Sequence, residues 1–261
     1  GAGPAGLEAA LRLCTTHDVT LFDARGHIGG QLATAAQAPS RAGWSRLLRF
    51  YRENLGNTNV ELGHEVTPRD LDDFGEVIIA TGATETPSPD ALPATALIAD
   101  RNAISPGDRV IVVDDGFGSW LTVGAIESAL AGGAEQVTVL VPGPTIAATI
   151  PPESRVQLMK RLTGRPVEFV VDATMTDVCR TDAGTVVTLR RLLSGRTSEI
   201  RCDRVVAVGE RITSDWQPLK AQSGARVQVI GDAVVPRRVS HAIAEGYAAA
   251  ELITTSASLQ T

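Results

Sequence analysis

Three glycines at the start of the chain have the type and spacing to bind a diphosphate. Gly1, Gly3 and Gly6 fit G-x-G-x-x-G, and Pro4, Ala5 and Leu7 carry the motif straight into an apolar helix. In a dinucleotide site each glycine meets a separate demand. Gly1 allows a tight turn out of a strand, Gly3 lets the backbone approach a pyrophosphate, and Gly6 lets the helix pack closely on the sheet. The phosphate sits at the helix N-terminus, where free N–H groups and the positive dipole end face it. Pro4 suits a first helical position, where its missing N–H is no loss.

Glycine-rich turns are common, and this one gains weight from the strand and acid downstream of it. Val19-Thr20-Leu21-Phe22 reads as a strand ending on Asp23. A carboxylate about 20 residues past the glycines is where the fold meets a ribose hydroxyl. Ala24 and Arg25 come next, and then Gly29, Gly30, Gln31 and Leu32. The glycine pair would let backbone approach the flat or ribityl part of a cofactor, with Gln31 able to hydrogen-bond it. The alternative is a simple flexible loop. Val66 lies just past a short strand at 60–62. Ala80, Thr81 and Gly82 close a buried strand with small residues that admit close approach. Asp232, after Gly231 at the end of the last strand, can accept from a ribityl hydroxyl or serve as a turn or cap residue.

Around these residues the chain reads as alternating strands and helices. Helices are expected over 4–14, 41–55, 121–131, 155–161 and 241–252, with a polar, frayed tail over 254–261. The proline-bearing stretch 84–106 reads as a linker. A second strand–turn–helix starts at Arg109, but its turn chemistry has decayed: Asp114 takes the place of the first glycine and Ser119 of the third. Two carboxylates, Asp114 and Asp115, stand where a pyrophosphate would come, so this unit is expected to bind a nicotinamide dinucleotide poorly. Strands at 167–171, 185–192 and 198–202 read as the antiparallel part of the same domain. The expected fold class is α/β with two Rossmann-like dinucleotide-binding domains, the second inserted in the first. Their expected bounds are 1–88 plus 204–261 and 89–203. The motif should also come after a central strand, so the chain reads as a piece of a longer polypeptide whose first strand precedes Gly1.

The 261 residues carry a formal net charge of −6, which gives no basic footprint for nucleic acid or an anionic membrane. No apolar run is long enough to span a bilayer. The three cysteines, Cys14, Cys179 and Cys202, are far apart and form no C-x-x-C, which suits reduced thiols in a cytoplasmic protein. The four histidines have no metal-ligand spacing, so no metal site is expected, and no side chain stands out as a general acid, base or nucleophile.

In order and spacing these motifs resemble the two-dinucleotide-domain flavoproteins along nearly the whole chain. More narrowly, Leu21-Phe22-Asp23 leading to Gly29-Gly30-Gln31-Leu32, the Trp44–Tyr51 helix, and Gly231-Asp232-Ala233 with Pro236-Arg237 are similar to the C-terminal half of the Old Yellow Enzyme-related multidomain flavin oxidoreductases. These include 2,4-dienoyl-CoA reductase, trimethylamine dehydrogenase and histamine dehydrogenase. The resemblance implies a preceding (β/α)8 barrel with FMN and a 4Fe-4S cluster, a small-molecule substrate, and a homo-oligomer. It also implies that the residues named above hold FAD, as in the reductases, or ADP, as in the amine dehydrogenases. In the reductases NADPH binds the middle domain, whereas the amine dehydrogenases have lost that site. Asp114 and Ser119 depart from the reductase pattern. A stand-alone NAD(P)H:acceptor reductase resembling thioredoxin reductase is a third reading, opposed by the absent C-x-x-C.

Overall fold

Pro4 supplies a helical φ and gives up an N–H that a first turn cannot use, so a helix begins there and runs to Leu13. The computed structural model describes residues 1–181, 184–222 and 224–258. The chain opens with α1 (Pro4–Leu13), β1 (Thr20–Asp23), the short α2 (Gln31–Ala35), α3 (Trp44–Asn54), β2 (Asn59–Leu62), β3 (Glu76–Ile79) and β4 (Ala83–Glu85). It continues through β5 (Leu92–Pro93), α4 (Ala94–Ala99), β6 (Arg109–Val113), α5 (Trp120–Ala131), β7 (Gln136–Val141) and α6 (Pro152–Leu162). Then come β8 (Val167–Val171), β9 (Ala173–Thr181), β10 (Gly184–Arg191), β11 (Thr197–Cys202) and β12 (Arg204–Ala207). The chain closes with β13 (Arg211–Thr213), α7 (Gln217–Gln222), β14 (Arg226–Val229) and α8 (Val239–Ser258).

Two units result. Unit 1 is assembled from Gly1–Ala36, Gly43–Thr84 and Arg211–Thr261, and unit 2 from Gln37–Ala42 and Glu85–Glu210. In unit 1, β1 pairs in parallel with β2, and β3 in parallel with β14. Helix α1 packs on α8 through small residues. Ala5, Ala9, Ala242 and Ala249 share one buried cluster, and a Cβ on Gly246 would lie 2.3 Å from the carbonyl oxygen of Ala5. On its other side α1 meets α3, where Leu7 and Ala10 pack with Tyr51 and Leu55.

Unit 2 holds a five-stranded sheet in the order β5-β12-β6-β7-β8, parallel throughout. Its strands are runs of β-branched residues because both faces are covered. Val110, Val112, Val137 and Val139 are essentially inaccessible, each burial contributing roughly 1.5–3 kcal/mol. A second, antiparallel sheet has the order β11-β10-β9.

Several expectations are corrected here. Val167–Val171 does not belong to the antiparallel sheet; it extends the parallel one beside β7. Its place is taken by β9, whose Ala-Thr-Met-Thr-Asp sequence is too polar to signal a strand. The stretch 84–106 is not a linker, since Ala94, Leu97 and Ile98 of α4 are buried. Six residues are too few to show helical period between prolines. Residues 204–210, expected in the first domain, fold with unit 2 because β12 pairs with β6. Helix α8 continues through the expected frayed tail to Ser258, and residues 259–261 lie outside the described residues. No helix among the described residues is long and apolar enough to cross a membrane.

One buried charge ties α1 to α3. Glu8 is 5 % exposed, and its carboxylate accepts from Arg12 Nε at 2.8 Å and from the Tyr51 hydroxyl at 2.9 Å. Burial, together with the bond to Glu8, raises the phenol's pKa above its ordinary value. Replacing Tyr51→Phe leaves a buried carboxylate one donor short, an expected loss of about 1–3 kcal/mol. Chemical denaturation of the two proteins would read this loss directly, and an unchanged midpoint would contradict it.

Candidate nucleotide site

The site grows from Gly1-Ala2-Gly3 in unit 1. A Cβ on Gly1 would stand 2.3 Å from the Ala80 carbonyl oxygen, and one on Gly6 would stand 1.9 Å from the carbonyl oxygen of Gly1. The end of β3, the turn and α1 are therefore in backbone contact. At Gly3 the reverse holds: nothing lies within 4 Å of where its Cβ would point. Gly3 is the N-cap of α1 and makes no side-chain cap, so the first helical N–H groups after Pro4, those of Ala5 and Gly6, have no intrahelical acceptor. Open space beside Gly3 together with uncapped donors fits the diphosphate of an adenine nucleotide.

The strand-end acid is in place. Asp23 Oδ2 accepts from the Ala2 N–H at 2.6 Å and Oδ1 from the Arg25 N–H at 2.8 Å. A carboxylate has about four acceptor positions, so capacity remains for a ribose hydroxyl. Ala24 is exposed beside it. The Arg25 guanidinium reaches over Gly30, its Nη1 lying 3.9 Å from where a Cβ would stand there. Gly30 in turn lies against Gly3, with a Cβ 3.0 Å from Gly3 Cα, and the Gly29 N–H donates to the Ala2 carbonyl at 2.7 Å. Both residues have positive φ, +108° and +52°. The glycine pair is thus a fixed part of the turn and not a flexible loop.

Other sequence-predicted residues stand apart from this focus. The Gln31 amide donates to the Ala83 carbonyl. Leu32 is buried, and its N–H bonds back to Gly29. Val66 lies two residues past His64, whose N–H donates to the Asp23 carbonyl. Thr81 and Gly82 carbonyls accept from the Ser214 hydroxyl. Gly231 touches the α1 end, since a Cβ there would lie 2.9 Å from the Ala5 methyl. Asp232 is engaged on both oxygens: Oδ2 pairs with Arg211, and Oδ1 accepts from the Arg237 N–H at 2.9 Å. Glu245 completes the group, accepting from the Gly231 N–H at 2.7 Å and pairing with the Arg237 guanidinium. Sequence reasoning did not reach Arg211, because it stands 21 positions from Asp232 in no recognisable motif.

Unit 2 repeats strand–turn–helix with different chemistry. Asp114 is 3 % exposed. Its Oδ1 accepts from the N–H of Gly116 at 2.7 Å and of Gly118 at 3.2 Å, and its Oδ2 from the Thr122 hydroxyl. Ser119 caps α5, its hydroxyl accepting from the Leu121 N–H at 3.2 Å. Burial raises the Asp115 carboxyl above the ordinary carboxylate range; Asp114 and Glu85 add to this, and the bond from the Phe117 N–H opposes it.

The glycine contacts separate packing from binding. Gly1→Ala and Gly6→Ala place a methyl into backbone and should lower stability sharply. Gly3→Ala, whose methyl meets only open space, should cost the nucleotide-free protein far less stability than the other two while lowering nucleotide occupancy. Equal destabilisation by all three would contradict this. For Asp115, a folded pKa above the unfolded one favours folding only while the group is protonated. That contribution is complete below the ordinary Asp range near pH 4 and is lost as pH rises through the raised value. Asp115→Asn keeps the Phe117 acceptor and should raise the melting temperature at pH 7. Melting curves taken from pH 7 to 4 should show the gain shrinking.

Comparison with known proteins places the chain in a family. The NADH oxidase of Thermoanaerobacter brockii is 26 % identical over 264 residues, covering 95 % of this chain and 39 % of that protein. The multifunctional alkene reductase/demethylase OYE of Caballeronia cordobensis is 37 % identical over 128 residues, or 45 % of this chain and 18 % of that one. The structure of histamine dehydrogenase from Rhizobium sp. 4-9 superposes with a TM-score of 0.84 at 25 % identity, covering 96 % of this chain and 42 % of that one. The chain therefore spans well under half the length of these relatives. Residues 1–252 match the family described as pyridine nucleotide-disulphide oxidoreductase, a family of FAD- and NAD(P)-binding Rossmann-like folds, and the chain belongs to it.

Proposed function

We propose that this chain is the nucleotide-holding, electron-transfer portion of a larger NADH:flavin oxidoreductase, with FAD on the glycine turn of unit 1. One observation carries the reading: the Gly1–Gly3 turn, the Asp23 carboxylate and the Gly29-Gly30 pair are knitted together by direct bonds at an uncapped helix N-terminus. Gly1, Gly3, Pro4, Ala5 and Gly6 would frame the diphosphate, the N–H groups of Ala5 and Gly6 donating to it. Asp23 would accept from the ribose, with Ala24, Arg25 and Val66 about the adenosine. Gly29, Gly30, Gln31, Leu32, Ala80, Thr81 and Gly82 would line the way to the ribityl chain, which Gly231 and Asp232 would meet. The bound flavin supplies hydride and electron transfer, and the chain's own residues position it. By resemblance, we place FMN, a 4Fe-4S cluster and the small-molecule substrate pocket in a barrel segment of the same cytoplasmic, homo-oligomeric protein. Unit 1 is then the nucleotide domain and unit 2 an inserted NAD(P)H-type domain.

A second reading has its own support. Asp232 is held in an ion pair by the Arg211 guanidinium besides accepting from the Arg237 N–H, and a charge-assisted partner is harder for a ribityl hydroxyl to share or displace than a backbone N–H. That favours ADP, which has no ribityl chain, in a structural module of an amine dehydrogenase-like enzyme.

The test is the absorption spectrum and mass of the nucleotide released when the full-length protein is denatured. FAD in equal amount to the chain is the expected result, and FMN is told apart by mass. ADP alone moves the conclusion to the second reading. Release of neither adenine nucleotide overturns both.

A further inference from the structure

Membership of a pyridine nucleotide family implies an NAD(P)H site in unit 2, yet the residues there do not fit one. The diphosphate of such a nucleotide is an anion that needs free N–H donors at the turn after the first strand and at the helix beyond it. In unit 1 those donors are open. In unit 2 the turn directs its donors onto its own side chains. The N–H groups of Gly116 and Gly118 both donate to Asp114 Oδ1, that of Phe117 between them donates to Asp115, and that of Leu121, within the first turn of α5, donates to Ser119. The helix has also moved. With Asp114 aligned on Gly1, Gly116 matches Gly3, but α1 starts at the residue after Gly3 whereas α5 starts only at Trp120. The intervening residues are drawn around the carboxylate.

We propose that Asp114 is a specificity-determining residue that serves unit 2 as its own anion. Its carboxylate stands in for a phosphate on the turn and so closes the unit to a pyridine dinucleotide. Three features support this beyond the missing glycine. At 3 % exposure the carboxylate lies inside the turn rather than at its rim, so a ligand cannot simply push it into solvent. Thr122 holds its second oxygen from within α5, which orients it toward the N–H groups. Asp115, the next residue, and Glu85 add charge of the same sign nearby. A diphosphate arriving here would have to displace a bonded carboxylate from the turn N–H groups and sit beside two more. The inference concerns unit 2 alone and stands or falls independently of what unit 1 binds.

Trp120, the first residue of α5, is a built-in reporter, because indole emission transfers to a dihydronicotinamide bound at that helix end. The experiment titrates NADH into the full-length protein already saturated with its own nucleotide. It tracks tryptophan emission, with Trp120→Phe in each background to isolate that signal. The wild-type protein should show no saturable Trp120-dependent quench up to about 1 mM NADH. Asp114→Gly, which restores the motif glycine, should show one with affinity at least about tenfold tighter than that limit. Asp114→Ser keeps a polar partner for Thr122 while removing the charge, and decides the matter where the glycine variant does not fold. Saturable quenching in the wild-type protein overturns the proposal. So does the absence of any gain in a variant whose melting transition shows it folded.

Discussion

The structure of unit 1 depends on three backbone segments touching with no side chain between them. The Ala80 carbonyl at the end of β3, the Gly1 turn and the first turn of α1 are closer than any Cβ permits. Helix α8 then crosses α1 at Gly246 with the same intimacy, against the Ala5 carbonyl. What this contact secures is direction. It aims the uncapped N-terminus of α1 along the line where β1 ends in Asp23, so that one N–H of the turn already bonds the carboxylate. The site is thus a by-product of the tightest packing in the unit, and its precision comes from backbone rather than from rotamers.

Two turns alike in leading into a helix treat negative charge in opposite ways. Unit 1 sets its carboxylate at the neighbouring strand end, where Asp23 braces the turn from the side and leaves the helix N-terminus open. Unit 2 sets Asp114 at the end of the strand that feeds the turn, where the shortest path to an acceptor is the turn's own N–H groups. A shift of the acid from one strand to the next separates a cradle from a plug. Fold likeness alone does not register that shift, which is why function must be argued from the site.

Much of this was legible in sequence because backbone demands leave few residue choices. The glycines, Asp23, and the β-branched runs of β6 and β7 announce themselves through steric necessity and periodicity. Where the reading failed, the deciding force was non-local. β9 mixes polar residues with Ala173, Met175 and Val178, and its pairing with β10 brings these onto the core. α4 is short and is a helix because its apolar residues are buried beside α5, Ile98 lying against Gly124. Residues 204–207 look like any buried parallel strand, and nothing local says which sheet will take them. Arg211 as partner of Asp232 is equally hidden, since an ion pair between distant positions leaves no spacing to read. Asp114 is foreign to the motif by residue type alone, but its turn inward onto the Gly116 and Gly118 N–H groups depends on backbone geometry that no spacing encodes.

The order of segments has a kinetic side. Unit 2 draws nearly all its residues from the continuous stretch Glu85–Glu210, whereas unit 1 needs residues from both ends of the chain. Its parallel pair β3–β14 joins residues such as Val77 and Val227, and α1 cannot be covered until α8 exists. Contacts of such sequence separation are slow to close and wait for the last part of the chain to be made. During synthesis unit 2 can therefore consolidate while α1 still lacks its partner helix. Within this stretch of chain, the nucleotide turn leaves the ribosome first and is among the last segments to acquire its final shape.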